Sequence, residues 1–173
     1  ARSMMKAQFR LWSALLLAFN VGADVEGDRY PLAKKAMPDL AGAVENLLSG
    51  HQETLRDALS EANCQAFGQL LWERATEGIP TDDRMLYWAR LAALQYLTPS
   101  SNAPQDMALH QNCRTSFEAA SRGRAELSWK EGHYRLLVSG FDPFLLDRNI
   151  EQSNPSGLAA LRLDDQVLES SGG

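Results

Sequence analysis

Apolar residues in the first two thirds of the chain recur at three- and four-residue steps, the period of one helix face. The longest such segment runs from about residue 52 to residue 76, where Gly78 and Pro80 follow. Its apolar face is formed by Leu55, Leu59, Ala62, Ala66 and Leu70, widened by Cys64, Phe67 and Leu71. The pattern predicts one long amphipathic helix at this place.

Shorter helices are predicted on both sides of this segment. One runs from about 39 to 48, one follows an N-cap at Thr81 and stops near Pro99, and one runs from Pro104 to about Gly123. The two prolines and the glycine of residues 24–38 predict an extended lead-in. Residues 24–122 are therefore predicted to be a helical accessory domain.

The pattern changes in residues 123–173. Leu136, Leu137 and Val138 form a continuous apolar run that ends at Gly140, as in a strand buried on both faces of a parallel sheet. A loop follows, and Ser153 or Asn154 caps a helix that opens with Pro155 and Ser156. The predicted fold class is thus a mainly α N-terminal region followed by the first strand, loop and helix of an α/β domain with a phosphorylase/hydrolase-like fold. Because a buried strand needs neighbours and none is evident upstream, we expect this domain to be incomplete here and the chain to be the front of a longer protein.

Charge is distributed unevenly along the chain. Its net charge is −5, yet residues 1–23 hold three basic and no acidic residues, so the remainder carries −8. A basic start, the nine-residue apolar segment LWSALLLAF and small residues before Asp24 predict a secretory signal peptide, and hence a periplasmic or secreted protein. The segment is too short to span a bilayer, which needs about 20 residues. The alternative is an amphipathic first helix in a protein that stays in the cytoplasm.

The two cysteines, Cys64 and Cys113, are placed on core-facing sides of separate predicted helices. Export into an oxidising compartment would favour a disulfide between them, and the alternative is two free, buried thiols. The acidic balance and the scattered Lys and Arg argue against a nucleic-acid surface. The histidines show no ligand-type spacing and the common metal and nucleotide motifs are absent from the sequence, so neither a metal site nor a cofactor is expected.

Two aromatic residues follow the predicted strand, Phe141 and Phe144, with the rigid Pro143 between them. In open α/β sheets, ligands bind on the loops at the carboxyl ends of strands, so the two rings could form a slot for a small flat ring. Periodicity alone allows equally that both phenylalanines seal the end of the core.

The series YRLLVSGFDPF, followed after a polar loop by NPSGLAALRL, resembles the beginning of the pyroglutamyl peptidase I (pyrrolidone-carboxylate peptidase) family. Gly140, Phe141, Pro143 and Phe144 match its first motif, and Asn154, Pro155 and Ser156 match its second. The match covers roughly residues 133–164. The family has glycine after the second phenylalanine, whereas Leu145 stands here.

The resemblance implies a cysteine peptidase with a Glu-Cys-His set, acting on peptides with an N-terminal pyroglutamate and using Phe141 and Phe144 to line the ring pocket. In the family the three catalytic residues lie downstream of these motifs. Neither cysteine of this chain is in the matching context, so no catalytic residue is assigned and the chain alone is expected to be inactive. The alternatives are an exported helical binding protein with a vestigial α/β segment, or a helical domain with a chance GFDPF. The sequence leaves the oligomeric state open.

Overall fold

The computed structural model describes residues 29–52, 55, 59–97, 104–125 and 136–166. Within these ranges the regular structure is entirely helical. The helices are α1 (Tyr30–Ala36), α2 (Pro38–Ser49), α3 (Glu61–Thr76), α4 (Arg84–Tyr96), α5 (Pro104–Ala120) and α6 (Pro155–Leu163). The predicted leader, residues 1–23, lies outside the described residues and stays a prediction.

The predicted α/β class is wrong for the part of the chain that the structure describes. Residues 136–138 form no β-ladder, and the side chains of Leu136 and Leu137 are 66% and 72% exposed. A continuous apolar run is compatible with burial but does not supply the neighbouring strands that burial in a sheet requires. The helix predicted after the loop is confirmed as α6, with Pro155 in its first turn and Asn154 as its N-cap.

The helical predictions are largely confirmed, with three corrections. Residues 30–36, predicted as extended, form α1, which has Pro31 in its first turn. The predicted helix from 52 to 76 is interrupted at Leu59 and Ser60, because the Ser60 hydroxyl accepts the amide of Asn63 and begins α3 there. The buried face of α3 consists of Cys64, Phe67, Gly68 and Leu71, while Ala62 and Ala66 are exposed.

The core forms around α4, whose side chains from Tyr87 to Leu94 are all buried. Beside it α3 packs closely along α5, and the rings of Phe67 and Phe117 stack with centroids 6.0 Å apart. The closest approach is at Gly68, where a Cβ atom would lie 2.6 Å from the carbonyl oxygen of Phe117. A glycine is thus required at this contact between the two helices.

The C-terminal described segment, residues 136–166, packs onto these helices. The side chains of Leu146 and Leu161 are buried, and the Arg162 guanidinium donates to the carbonyl of Pro80 at 2.7 Å. The indole of Trp72 on α3 donates to Asp164 at 2.9 Å. These contacts position the loop that carries the predicted site. Among the helices of the described ranges, none combines the length and apolarity that a bilayer crossing needs.

Candidate functional site

The GFDPF loop (residues 140–144) lies directly against the NPSG turn (residues 154–157) that opens α6. The amide of Phe141 donates to the hydroxyl of Ser156 at 3.1 Å. A Cβ atom on Gly140 would lie 2.4 Å from the carbonyl oxygen of Ser156 and 2.6 Å from Cα of Gly157. The structure therefore brings the two motifs of the sequence into direct backbone contact, and this approach requires glycine at position 140.

Asn154 links this pair of segments to the helical core. Its side-chain amide donates to the carbonyl of Asp142 at 3.1 Å, and its side-chain oxygen accepts the amide of Ser156 at 3.0 Å. Its backbone amide donates to the buried carboxylate of Asp83 at 3.1 Å. Burial raises the pKa of Asp83, although this hydrogen bond from Asn154 opposes the shift. Thr81 was predicted as the N-cap of α4, but Asp83 holds the N-cap position and its side chain binds the NPSG turn instead.

Four charged side chains, Arg90, Glu118, Arg122 and Asp142, form what we call the Arg90 network. The Asp142 carboxylate accepts from Arg90 at 3.1 Å and from Arg122 at 3.0 Å. Glu118 accepts from the same two arginines, at 2.7 and 3.0 Å. The Arg90 guanidinium is buried and completes its hydrogen bonding by donating to the Ser121 hydroxyl at 3.2 Å. Each carboxylate thus contacts both cations, which ties the GFDPF loop to α4 and α5.

The electrostatics of this network favour its charged state. Burial alone would raise the pKa of Asp142 and of Glu118, but the charges of Arg90 and Arg122 outweigh it and lower both values. Burial opposes the charge of Arg90, yet the two carboxylates raise the pKa of its guanidinium overall. Arg90, Glu118 and Asp142 are therefore ionised at neutral pH.

The aromatic side chains of the loop face solvent. Phe141 is 76% exposed and Phe144 is 57% exposed, so neither seals the core of the described residues. Leu145, which stands where the resembling family has glycine, adopts a left-handed backbone with φ of 59° and is also exposed. Leu146 then turns into the core and is buried. The GFDPF loop therefore presents its two rings outward, and Leu145 directly after it is also exposed. The Asp142 carboxylate of the loop binds Arg90 in the core.

Cys64 and Cys113 face each other between α3 and α5. Both are fully buried, and they are free thiols in the structure. Burial and the contact with Cys113 raise the pKa of the Cys64 thiol to about 12, so at neutral pH it is a poor nucleophile. The structure thus meets the requirement that both cysteines lie together in the core, and the disulfide itself stays a prediction.

The histidines of the described segments have structural contacts. His110 Nδ1 lies 2.8 Å from the carbonyl oxygen of Leu97, and the ring of His51 lies 4.8 Å from that of Phe67, centroid to centroid. His133 lies outside the described residues. Within the described ranges, no group of three or more His, Cys, Asp and Glu side chains is arranged to hold a metal ion.

Sequence reasoning missed Asp83, Arg90 and Asp142 as residues of the site. One signal for Arg90 was available, since it is a lone charged residue within the apolar segment MLYWARLAALQYL. A charge in the middle of a buried helix needs a buried partner. The partner itself was not readable, because Asp142 is far away in the sequence and comes next to Arg90 only in the folded chain.

Comparison with known proteins finds a relative of this chain. An uncharacterized protein of Pseudomonas aeruginosa is 31% identical over 134 residues, an alignment that covers 61% of this chain and 24% of that protein. The chain thus spans about a quarter of the length of this curated relative. No protein-family model matches the chain. No solved structure matches it.

Proposed function

We propose that this chain is the N-terminal part of a pyroglutamyl-peptidase-like cysteine peptidase and contributes its ring-recognition loop. The observation that carries the proposal is that Phe141 and Phe144 face solvent on a loop that is braced by the Arg90 network and the NPSG turn. The substrate would be a peptide with an N-terminal pyroglutamate. The chain by itself is expected to bind this group without hydrolysing it, because no catalytic Glu, Cys or His is assigned to it.

The chemistry of the loop suits a lactam ring. Pyroglutamate is small, flat and uncharged, so it gains more from contact with aromatic faces than from ion pairing. Exposed aromatic rings on an otherwise fixed backbone lose little conformational entropy when a ligand covers them. The direct contact between the GFDPF loop and the NPSG turn also supports the proposal, since these are the two motifs in which the sequence resembles the peptidase family.

A second candidate function is protein binding by an exported helical protein. It is favoured by Leu136 and Leu137, which are exposed immediately before the GFDPF loop and extend its apolar surface. Neighbouring exposed apolar side chains are typical of surfaces that another protein covers. In this case the phenylalanines would contact a partner protein rather than a pyroglutamyl ring.

The two functions are separated by ligand binding to the chain labelled with 4-fluorophenylalanine. We expect pyroglutamyl-alanine to shift the ¹⁹F resonances of Phe141 and Phe144, whereas those of the buried Phe67 and Phe117 stay unchanged. Prolyl-alanine, which lacks the lactam carbonyl and carries a positive charge, is the matched control ligand and should have no effect.

Two variants refine this experiment. Phe141→Ala should abolish binding of pyroglutamyl-alanine, and Leu137→Ala, a truncation at an equally exposed site outside the loop, should preserve it. If neither ligand shifts the loop resonances, or if both shift them equally, the peptidase proposal is wrong. Equal loss of binding in both variants would instead indicate a general apolar surface, which is the expectation for the protein-binding function.

A further inference from the structure

We infer that Arg90 is a positioning residue that sets where Phe141 and Phe144 stand on the GFDPF loop. Its role in recognising a ligand rests on the function proposed above, but its effect on the loop can be measured without any ligand. Arg90 acts on the two phenylalanines through Asp142, the residue of the loop to which its guanidinium donates at 3.1 Å.

The guanidinium of Arg90 connects three parts of the molecule. It projects from α4, is only 3% exposed, and directs separate donors to Glu118 on α5, to Ser121 just after α5, and to Asp142 on the loop. The planar fork of an arginine holds its partners in fixed directions, which a lysine ammonium does not do. The position of the Asp142 carboxylate is therefore set by the helical core.

The loop depends on such polar contacts because Pro143 is the one apolar side chain among its described residues that is buried. Phe141 and Phe144 stand on either side of the Asp142–Pro143 pair and are exposed, so no burial of these rings fixes the backbone between them. Pro143 restricts this backbone further, so a displacement of Asp142 would be passed to both rings. Asp142, next to the buried Pro143, is thus the charged link between the core and the aromatic pair.

Arg122 also binds Asp142, but it should contribute less than Arg90. The Arg122 side chain is 39% exposed, whereas Arg90 is shielded from water. Ion pairs near solvent are weakened by the high dielectric constant and by salt, and buried ones are screened much less. The two arginines therefore form a matched pair, in which the same carboxylate is held by one buried and one exposed guanidinium.

The test compares Arg90→Lys with Arg122→Lys in the full chain. Each variant keeps the charge and removes the fork. The first readout is the rate at which chymotrypsin cleaves the chain after Phe144, and mass spectrometry measures this rate. The second is the set of ¹⁹F resonances of the fluorophenylalanine-labelled chain. We expect Arg90→Lys to speed cleavage by about tenfold or more, the equivalent of one hydrogen bond to a charged group, and Arg122→Lys to stay within about twofold of the parent.

The resonances distinguish positioning from general damage. In Arg90→Lys those of Phe141 and Phe144 should move, and those of Phe67 and Phe117 should keep their positions. If Arg90→Lys does not fold, Asp142→Asn carries the test, because it leaves Arg90 paired with Glu118 and Ser121 and removes the charge that Arg90 and Arg122 share on the loop. The Arg122→Lys variant then shows how much of the effect belongs to Arg122. Asp142→Asn should then accelerate cleavage far more than Arg122→Lys does.

Two results would overturn the inference. The first is that Arg90→Lys has the same cleavage rate and the same loop resonances as the parent chain. Where Asp142→Asn carries the test, the same result in that variant would count equally. The second is that Arg122→Lys changes the cleavage rate and the loop resonances as much as Arg90→Lys does, or as much as Asp142→Asn where that variant carries the test. Failure of the parent chain to bind pyroglutamyl-alanine would end the proposed function instead, while the cleavage and resonance data would still decide the role of Arg90.

Discussion

Phenylalanines have opposite environments in two regions of this molecule. In the contact between α3 and α5, Phe67 and Phe117 are buried and stacked, whereas on the GFDPF loop Phe141 and Phe144 face solvent. The first region is held by apolar burial and by the close approach of two helices. The second is held by ion pairs, by a capping asparagine, by a glycine contact and by one buried proline, Pro143. Residue type alone thus says little about which phenylalanines stabilise the fold and which are available to a ligand.

The difference also separates stability from recognition. Burial of large apolar side chains is the dominant favourable term in folding, so changes in the helical core should affect the whole structure. The exposed rings of the loop contribute little to folding and can be changed at small cost. The largest expected effect therefore comes from a matched pair of phenylalanine truncations, one in each region.

Phe117→Ala should lower the free energy of unfolding by about 3–5 kcal/mol, because it removes a fully buried ring from the contact between α3 and α5. Phe141→Ala should change it by less than about 0.5 kcal/mol, because most of its ring is already in water. Urea unfolding followed by circular dichroism measures both. A large loss of stability in Phe141→Ala would mean that this residue seals a core, and the contrast between the two regions would then disappear.

Smaller changes in stability, opposite in sign to each other, are expected when two helical glycines are replaced by alanine. Gly68→Ala should destabilise by about 1–3 kcal/mol, because its Cβ would lie 2.6 Å from the Phe117 carbonyl oxygen and force α3 and α5 apart. Gly42→Ala lies within α2, where no atom apart from the neighbouring residues and the backbone of its own helix lies within 4 Å of the new Cβ, and it should stabilise by up to about 1 kcal/mol. Thermal unfolding of the two variants under identical conditions tests this prediction. The same sign of change in both would contradict the packing described here.

The smallest expected effect is a loss of folding stability at acid pH. The folded-state pKa values of Asp142 and Glu118 are lowered, so their contribution to stability is present above the ordinary carboxyl range, near pH 4, and is lost as the pH falls through the lowered values. The raised pKa of Asp83 works in the opposite direction and offsets part of this loss. The urea midpoint of the parent chain should therefore decrease between about pH 5 and pH 2.

Asp142→Asn supplies the control for this pH dependence. The variant lacks one of the two carboxylates of the Arg90 network, both of which have a lowered pKa, so its urea midpoint should decrease less steeply over the same range. An identical slope in the parent chain and in Asp142→Asn would show that the ion pairs of the Arg90 network do not couple to folding. The effect would then arise from carboxylates elsewhere in the chain.

The amino-acid sequence by itself determined most of the helices, because their signals are local. Periodic apolar residues, the prolines in the first turns of α5 and α6, and Asn154 as the cap of α6 act within a few residues of one another. The same local information predicted that Cys64 and Cys113 face the core. It also identified the GFDPF and NPSG motifs, although it did not show that they touch.

Only the tertiary structure decided the surroundings of the loop. The apolar run at residues 136–138 predicted a buried strand, yet burial depends on neighbours, and the described residues offer this run no paired strand. Whether Phe141 and Phe144 were buried or exposed could not be read from periodicity for the same reason. The partners Arg90 and Asp142 are distant in sequence, and a charge pair between them exists only after α4, α5 and the loop have packed. Local patterns therefore determined the helices, and long-range packing determined which residues form the candidate site.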